Sequence, residues 1–296
     1  MTTFNELIDE VLINLEGFTM RQDRTTYLTA TIDDNDLTIA LASGDNIGKG
    51  IIEVDDELIH IDSVDRSDRS AVISPFGRGY RSTTAAAHTL NTRVTFAPSF
   101  PRVSVKRAIN DTLRAVYPRV YGVANTTFTF NASQNTYSLP EAAETVLAVS
   151  WDAIGPSGEW IPIRRWRHDP MAATADYTNG NSITINEGVV PGRTVQVVYA
   201  KTPTALSANA DVFTTVTGLE ESSRDLIVYG ASYRMASFLD PGRLTFTSPE
   251  ADANDQTRPF GSGTSTARYL YSLYQQRLQE ESNRLNGKYP VRVHYV

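Results

Sequence analysis

The chain has 296 residues, of which 41% are hydrophobic and 21% are charged, and this composition excludes a largely disordered protein. Cysteine is absent, which excludes disulfide scaffolds, thiolate metal sites and cysteine nucleophiles. The net charge of −7 argues against a general nucleic-acid coat, and no apolar run reaches the ~20 residues that a membrane-spanning helix needs.

The N-terminal residues predict an amphipathic helix. Thr3 and Glu6 match a capping box, apolar residues recur at helical spacing from Phe4 to Leu15, and Gly17 suits the C-terminal end. A helix of this length is not stable alone, so we expect its apolar stripe to pack against other helices. No basic region precedes the apolar residues, so we do not expect a secretory signal.

Residues 27–96 predict a small antiparallel β-domain. Five short segments alternate apolar and polar residues or run in β-branched residues, and Asp, Asn and Gly separate them. This spacing is typical of a small barrel or sandwich. The side chains expected to face its core are Ile52, Val54, Leu58, Ile59 and Ile61.

The remaining chain predicts a return to helix, a second β-rich region and two more helices. A helix over 101–117 lies between two prolines, and strands separated by turn residues follow over 126–201. Helices then cover 220–239 and 265–285, and Gly287 is expected to end the last one.

We therefore predict an α+β fold in which a discontinuous antiparallel helical bundle carries an inserted small β-barrel or sandwich, a second β-domain and an extended C-terminal tail. Helical and strand-like patterns alternate along the chain. The simplest interpretation is that strands are inserted between helices that pack against each other. The predicted boundaries are 1–24, 99–122 and 218–286 for the helical bundle core, 25–98 for the inserted β-domain, 123–217 for the second β-domain and 287–296 for the extended C-terminal arm.

Charge is unevenly distributed along the chain. Residues 1–100 hold 8 basic and 16 acidic side chains, whereas residues 101–170 hold 8 basic and 6 acidic side chains. The cations are 23 arginines and 4 lysines, and there are 14 tyrosines. Arginine and tyrosine are enriched in interfaces, so the composition favours modules that differ in surface charge and work through partners.

Two acidic segments have the composition of cation sites. The carboxylates that accompany His60 on a predicted strand could hold a hard cation, although an acidic strand face is more often simply solvated. They are Asp55, Asp56, Glu57 and Asp62. Residues 33–36, Asp-Asp-Asn-Asp, begin like a calcium-binding loop but lack its later glycine and glutamate, so a hairpin turn is favoured. We predict no bound metal.

No spacing indicates catalysis or a cofactor. There is no G-x-S-x-G turn, and the glycines of 44–50 are followed neither by a helix nor by G-K-[ST], which excludes a phosphate-binding loop. Adjacent carboxylates at 55–57, 220–221 and 280–281 do not by themselves make an acid–base pair across a cleft. We predict a protein that is not an enzyme and has no cofactor.

The strongest nucleic-acid signal is the run Arg164-Arg165-Trp166-Arg167, in which an aromatic residue lies between cations. These four residues are candidates for contact with DNA or a partner protein. An exposed strand edge with alternate residues in solvent explains the run somewhat better. Contact with DNA would be nonspecific attraction to phosphates.

Several segments together resemble tailed-bacteriophage neck proteins. The run from Gly77-Arg78-Gly79 to Ala85-Ala86-Ala87-His88 resembles the arginine-glycine turn and threonine-alanine-histidine stretch that close a small β-domain in such proteins. The order of helix, β insertion, helix, second β-domain, helices and tail also resembles that of head-to-tail connector (adaptor or head-completion) proteins. The further segments that carry the resemblance are 28–30, 37–39, 50–59 and 101–112.

The resemblance implies a structural virion protein of the head-tail neck, assembled in the host cytoplasm, that forms a ring of twelve subunits under the portal protein. Such a ring joins the capsid to the tail, binds a downstream tail, stopper or nozzle protein, and lets genome DNA pass nonspecifically through its channel. It implies no catalytic residues. The acidic first third would line this channel or face solvent.

In such rings the C-terminal tail reaches the portal. The tail of this chain corresponds to it by position. It is positively charged, aromatic and strand-like in its alternation, so it needs a partner edge to become ordered, that of the portal or, as the second choice, that of an adjacent adaptor subunit. The residues that the resemblance assigns to portal binding are Lys288, Tyr289, Pro290, Val291, Arg292, Val293, His294, Tyr295 and Val296.

Two other classes of function stay open from the residues alone. A tail-fibre, baseplate or other receptor-binding module would use exposed aromatic side chains to bind sugar, with Trp151, Trp160 and Trp166 as candidates. A polysaccharide hydrolase would need a cleft with a carboxyl group of raised pKa, which no spacing singles out. The number of subunits distinguishes a fibre from an adaptor, because fibres are usually trimeric whereas an adaptor is expected to form a ring of twelve.

Overall fold

The computed structural model describes residues 1–17, 23–45, 47–153, 158–237 and 262–289. The fold is mixed α+β, and within these residues no helix is long and apolar enough to cross a membrane. The α-helices of the described residues are α1 (Phe4–Glu16), α2 (Arg102–Val116), α3 (Phe213–Thr217), α4 (Arg224–Ala236) and α5 (Ser262–Lys288).

The strands pair in antiparallel sheets. The first group of strands is β1 (Arg24–Tyr27), β2 (Thr38–Ala40), β3 (Gly50–Val54), β4 (Glu57–Asp65), β5 (Ser70–Ile73) and β6 (Arg93–Phe96). They form a six-stranded sheet in the order β1-β6-β3-β4-β5-β2.

The second group is β7 (Gly122–Thr129), β8 (Thr136–Ser138), β9 (Thr145–Asp152), β10 (Trp160–Pro162), β11 (Trp166–Asp169), β12 (Ser182–Ile185) and β13 (Thr194–Lys201). Four of these strands form a sheet in the order β10-β9-β13-β7, and three form a sheet in the order β11-β12-β8.

The chain divides into two compact units. The first unit contains Met1–Leu7, Asn110–Ile227 and Ser272–Val296, and the second contains Ile8–Ile109 and Val228–Tyr271. The boundaries run through α1, α2, α4 and α5, so each unit holds parts of these four helices together with one β-region. The predicted division, in which the helices form a separate bundle, stays a prediction.

The six-stranded sheet of the second unit is a half-barrel around an apolar core. Its edge strands β1 and β2 meet just past their ends, where Thr29 N donates to Ala40 O at 3.0 Å. Leu58 is buried, but alternation along β4 places it on the face opposite its neighbour Ile59. The predicted core residues that are fully buried inside are Ile52, Val54, Ile59 and Ile61.

The four-stranded and three-stranded sheets of the first unit cover one apolar core. The strands expected over 126–201 are present, and β7 begins earlier, at Gly122. The short helix α3 falls inside the range predicted as β-domain. Side chains from both sheets meet in the core, and they include Val149 of β9, Val197 of β13, Ile183 of β12 and Tyr137 of β8.

Helix α1 has the predicted cap and apolar stripe. Thr3 N donates to Glu6 Oε2 at 2.8 Å, and Glu6 N donates to Thr3 Oγ1 at 3.3 Å, which confirms the capping box. Leu12 is only half-buried. The buried side chains of the helix are Phe4, Leu7, Ile8, Val11 and Leu15.

Helix α5 extends beyond its predicted end. Gly287 lacks the positive φ of a helix-terminating glycine, and the helix continues through Lys288. Tyr289 N donates to Leu285 O at 2.7 Å, and Lys288 Nζ lies 2.7 Å from Glu220 Oε1, so the last turn is held by backbone and side chain. The prediction of an extended chain is therefore wrong for Gly287 and Lys288, and the residues after Tyr289 lie outside the described ranges.

Candidate interaction surfaces

A buried carboxylate organises one end of the six-stranded sheet. Glu57 is the first residue of β4, and its side chain is 1% exposed. Its Oε1 accepts hydrogen bonds from Arg78 Nε at 2.9 Å and Gly79 N at 2.8 Å. Its Oε2 accepts from Arg78 Nη2 at 3.0 Å and Ala86 N at 3.2 Å, and His88 Nε2 lies 2.9 Å away. We call the set the Glu57 cluster, which consists of Asp55, Glu57, Arg78 and His88.

Arg78 extends the Glu57 cluster to the neighbouring loops. Its Nη1 donates to the main-chain oxygen of Asp33 and, at 3.2 Å, to that of Asp36. Its Nη2 donates to Ala86 O at 2.7 Å. One guanidinium therefore fixes the backbone of two loops, the loop between β1 and β2 and the loop between β5 and β6.

The charges of the Glu57 cluster stabilise one another. Burial alone would raise the pKa of Glu57, but hydrogen bonds from His88, Arg78 and two backbone amides lower it to about 2. Burial also opposes the charged form of His88, whereas hydrogen bonds to Glu57 and, at 2.9 Å, to Asp55 raise its pKa above the ordinary 6.5. Because the protein itself engages both oxygens of Glu57, this buried carboxylate holds loops in place and is not presented to solvent.

Sequence reasoning missed the pairing of Arg78 with Glu57, although the glycines beside Arg78 mark the turn that makes it possible. Gly79 has a φ of +58°, and a Cβ on Gly77 would lie 2.5 Å from His60 O. A left-handed residue and a close backbone approach on either side of an arginine indicate a tight turn that presents its side chain. The resemblance included this turn and Glu57, but no pairing between them was predicted.

The acidic residues near His60 do not converge on one point. Two of them belong to the Glu57 cluster, while Asp62 Oδ1 lies 2.8 Å from Lys49 Nζ. His60 Nδ1 lies 2.6 Å from Ser74 Oγ. In the part of the chain that the structure describes, no group of three or more His, Asp or Glu side chains could hold a metal ion. These separate pairings contradict the interpretation of this strand as a cation site.

A second group of charges connects the sheet to helices within the second unit. Buried Glu53 of β3 accepts the main-chain N–H of Arg102 at 3.0 and 3.3 Å, where α2 begins. Arg102 Nη1 lies 2.9 Å from Asp9 of α1, and Lys106 Nζ lies 2.7 Å from Asp56 in the β3–β4 turn. Burial raises the pKa of Glu53 to about 7, although the hydrogen bond from Arg102 N opposes this shift.

The predicted DNA or partner contact lies at the edges of two sheets. Arg164 and Arg165 connect β10 to β11, and Trp166 and Arg167 begin β11. All three arginines are exposed, whereas Trp166 is half-buried against the core of the two sheets. The structure therefore leaves the cations accessible, and their contact with DNA or a partner stays a prediction.

The predicted portal contact begins at a firmly held helix end. Arg284 of α5 pairs with Glu220 and with the buried Glu281, at 2.9 Å from its Nε to Glu281 Oε2. Lys288 pairs with the same Glu220, whose pKa these contacts lower. The rest of the predicted contact, residues 290–296, lies outside the described ranges.

Comparison with known protein families finds a match to the SU10 adaptor protein over residues 82–293. This range starts within the resembling segment 77–88 and covers the strands from β6 onward and helices α2 to α5. Comparison with curated proteins finds no match. The family match extends over more than half of the chain, and so the chain belongs to the SU10 adaptor protein family, a family of phage structural adaptor proteins.

Proposed function

We propose that the protein is a head-to-tail adaptor that forms a ring of twelve copies under the portal, joins the capsid to the tail and lines the DNA channel. Family membership over residues 82–293 is the observation that carries the proposal. The family implies a non-enzymatic protein of the virion that interacts with portal and tail proteins. In this proposal the ring assembles in the host cytoplasm.

The internal charges support a stiff structural subunit. Glu57, Glu53 and Glu281 are all buried, and each one accepts hydrogen bonds from other parts of the same unit, which for Glu281 are the hydroxyls of Ser222 and Ser223. Buried carboxylates with fixed partners specify one arrangement of the elements that they connect. A subunit that joins two parts of a virion needs such fixed geometry more than it needs mobile loops.

We place the portal contact in residues 290–296. Lys288, the first residue of the predicted contact, is already engaged by Glu220, so we leave it out of the proposed contact. The alternation of apolar and polar residues after Pro290 suits addition of a strand to the edge of a partner sheet. The tail-side partner would be a downstream tail, stopper or nozzle protein.

We propose that genome DNA passes through the ring without specific contacts. The net charge of −7, which comes from the acidic first third of the chain, would repel the duplex and limit sticking. The exposed cations at Arg164, Arg165 and Arg167 are the candidates for contact with DNA or a partner.

Electron microscopy of the purified chain mixed with portal tests the proposal. End-on class averages are expected to show a twelve-fold ring with an open channel, stacked coaxially on the portal. Trimers, or density bound to the side of the portal, would contradict it. Portal without the added chain is the matched control.

The described aromatic side chains do not favour the receptor-binding alternative. Trp151 and Trp166 are half-buried and pack against the core of the second β-region, and only Trp160 among the three tryptophans is exposed, at 42%. A sugar-binding groove would need several aromatic faces open to solvent. The three tryptophans therefore support the core and one sheet edge more than a sugar site.

A further inference from the structure

Two adjacent sheet edges in the first unit combine exposed apolar and cationic side chains. Strand β10 is the outer strand of the four-stranded sheet, and Trp160 and Ile161 on it are 42% and 38% exposed. Residues 164–167 follow directly, and β11 is the outer strand of its own sheet. We call this the tryptophan–arginine surface, which consists of Trp160, Ile161, Arg164, Arg165 and Arg167.

The backbone of the tryptophan–arginine surface is held in place. Glu187 Oε2 accepts hydrogen bonds from Arg164 N at 2.6 Å and from Arg165 N at 3.1 Å. Ile163 is buried, and its N–H donates to Val149 O at 2.9 Å. A surface whose backbone is already ordered loses less entropy on binding, which favours its use as an interface.

The arginines of this surface have no carboxylate partner among the residues that the structure describes. Elsewhere in the described chain, arginines such as Arg78, Arg102 and Arg284 lie in ion pairs. Tryptophan and arginine are the residue types that most often dominate binding energy in protein interfaces. The surface therefore has the composition of a docking site for an acidic partner.

The second unit carries a loop of opposite charge. Asp33, Asp34 and Asp36 are exposed, and no described lysine, arginine or histidine side chain pairs with their carboxylates. The loop is also held in place. Asp33 N donates to Asp36 Oδ2 at 2.7 Å, and the Arg78 guanidinium donates to the main-chain oxygens of Asp33 and Asp36. Leu37, which follows it, is 57% exposed and adds an apolar contact. We call residues 33–37 the acidic loop.

We propose that the tryptophan–arginine surface of one copy docks on the acidic loop of a second copy. This inference rests on the proposed ring, and it names the surfaces that would join neighbouring subunits. Both surfaces are held in place and exposed, and their charged side chains form no ion pair within the described residues. They have opposite charge, with apolar side chains beside the charges. A contact between two different patches repeats from copy to copy, and such head-to-tail contacts close into rings.

Charge and apolar exposure favour a second copy over DNA as the occupant. The chain as a whole carries −7, which disfavours approach of a duplex, whereas the surplus of acidic side chains in residues 1–100 attracts the three arginines. Phosphate contact would also leave Trp160 and Ile161 without an apolar partner, whereas the acidic loop supplies Leu37.

Charge reversal on each side tests the proposal. One variant carries Arg165→Glu and Arg167→Glu, and the other carries Asp33→Arg and Asp34→Arg, which leaves Asp36 to hold the loop. Ring formation is measured by mass photometry, alone and with portal. Each variant is expected to lose at least tenfold in the ring fraction at the concentration where the parent is half assembled. A control for the arginine variant, Arg66→Glu with Arg107→Glu, makes the same change of charge at other exposed positions and is expected to assemble normally.

Mixing the two variants gives the decisive result. Each variant keeps one native surface. In a ring in which the two variants alternate, every contact again brings opposite charges together. Assembly is therefore expected to recover on mixing, and also in the chain that carries all four substitutions. Circular dichroism and thermal melting of each variant show that the fold is retained.

Three results would overturn the inference. Reversed variants that fold and still assemble would show that the ring, and the proposed function, stand without this contact. Failure of the mixture to recover, with both variants folded, would exclude pairing of these two surfaces. Loss of duplex DNA binding in Arg165→Glu/Arg167→Glu, with unchanged rings, would assign the arginines to DNA. Failure of the parent itself to assemble would instead contradict the proposed function.

Discussion

Glu57 shows how a single buried charge fixes the loops around the six-stranded sheet. Two cations and two backbone amides replace the water that its carboxylate loses on folding. Such a group is stable only when all its partners are present, because removing one leaves a buried charge without compensation.

Replacing Glu57 by glutamine is expected to lower the free energy of unfolding of the second unit by about 3 kcal/mol. The substitution keeps the shape of the side chain but leaves Arg78 and His88 without their buried counter-ion. Urea denaturation followed by circular dichroism measures the loss. Asp62→Asn is the control, because its ion pair with Lys49 is exposed and is expected to contribute little. Equal effects of the two substitutions would contradict the role of the Glu57 cluster.

The Glu57 cluster also predicts how stability depends on pH. The pKa of Glu57 falls from 4.5 to about 2 on folding, so its contribution is complete above pH 4.5 and is lost as the pH falls toward 2. The pKa of His88 is raised above 6.5, so its contribution is complete below that pH and is lost as the pH rises through the raised value. Urea denaturation at a series of pH values is expected to show the acid loss in the parent and a flatter profile in Glu57→Gln.

At the residue scale, the types of side chain were readable from the sequence but their partners were not. From the sequence, Glu57 was assigned to a group with the other acidic residues near His60, because these residues are close together along one predicted strand. In the folded chain Glu57 instead pairs with Arg78, 21 residues away, and with His88, 31 residues away. Contacts at such separations depend on the path of the loops between them, which no local pattern encodes.

At the scale of elements, apolar periodicity predicts where the helices lie, and the burial of each side chain shows which helix positions contribute to stability. On α1, Ile8 is fully buried whereas Ile13 is 68% exposed. Ile8→Ala is expected to lower the free energy of unfolding by about 2–5 kcal/mol, because it removes buried methyl groups and leaves a cavity. Ile13→Ala makes the same chemical change on the same helix and is expected to have little effect. Thermal and urea unfolding measure both effects. Equal losses of stability in the two variants would contradict the assignment of Ile8 to the core.

Helix α2 begins at a carboxylate supplied by the sheet, and this gives a second dependence on pH. The pKa of Glu53 is about 7 in the folded chain against an ordinary 4.5, so the folded state binds the extra proton between these values. Stability is therefore expected to fall as the pH rises from 4.5 to 7, by up to about 3 kcal/mol. Glu53→Gln, which can still accept the Arg102 N–H, is expected to remove this fall. Parallel profiles of variant and parent in urea denaturation would contradict the burial of this charge.

Strands were easier to predict from sequence than the ends of helices. Turn residues separate the β segments, so their positions follow from local chemistry, as for β9 and β13. The end of α5 depends on a distant contact, because Lys288 pairs with Glu220 and the helix passes through Gly287. A glycine only permits a helix to stop, and the tertiary contact decides whether it does.

At the scale of the whole molecule, membership of a family of phage structural adaptor proteins accompanies a fold of two compact units. Residues 82–293 carry the family match, and the two compact units each combine one β-region with parts of the helices. The order of elements was predictable because period-2 and period-3.6 patterns alternate clearly along the chain. The division into units was not, because it follows which helix residues pack with which sheet.

Removal of residues 290–296 tests the proposed portal contact. Truncation after Tyr289 keeps the Lys288–Glu220 ion pair and the last turn of α5, so the melting temperature is expected to stay unchanged. Retention of the chain by immobilised portal is expected to be lost. A full-length Lys288→Ala variant is the control and is expected to be retained. Undiminished binding of the truncated chain would move the portal contact to another surface.

The mass of the complex with portal is the most direct measurement of the central claim. If the protein is a ring-forming adaptor, mass photometry of saturated complexes will show a gain of twelve times the 32.7 kDa of one chain over portal alone. A gain of three chains, or no gain at any concentration, would contradict an adaptor ring under the portal.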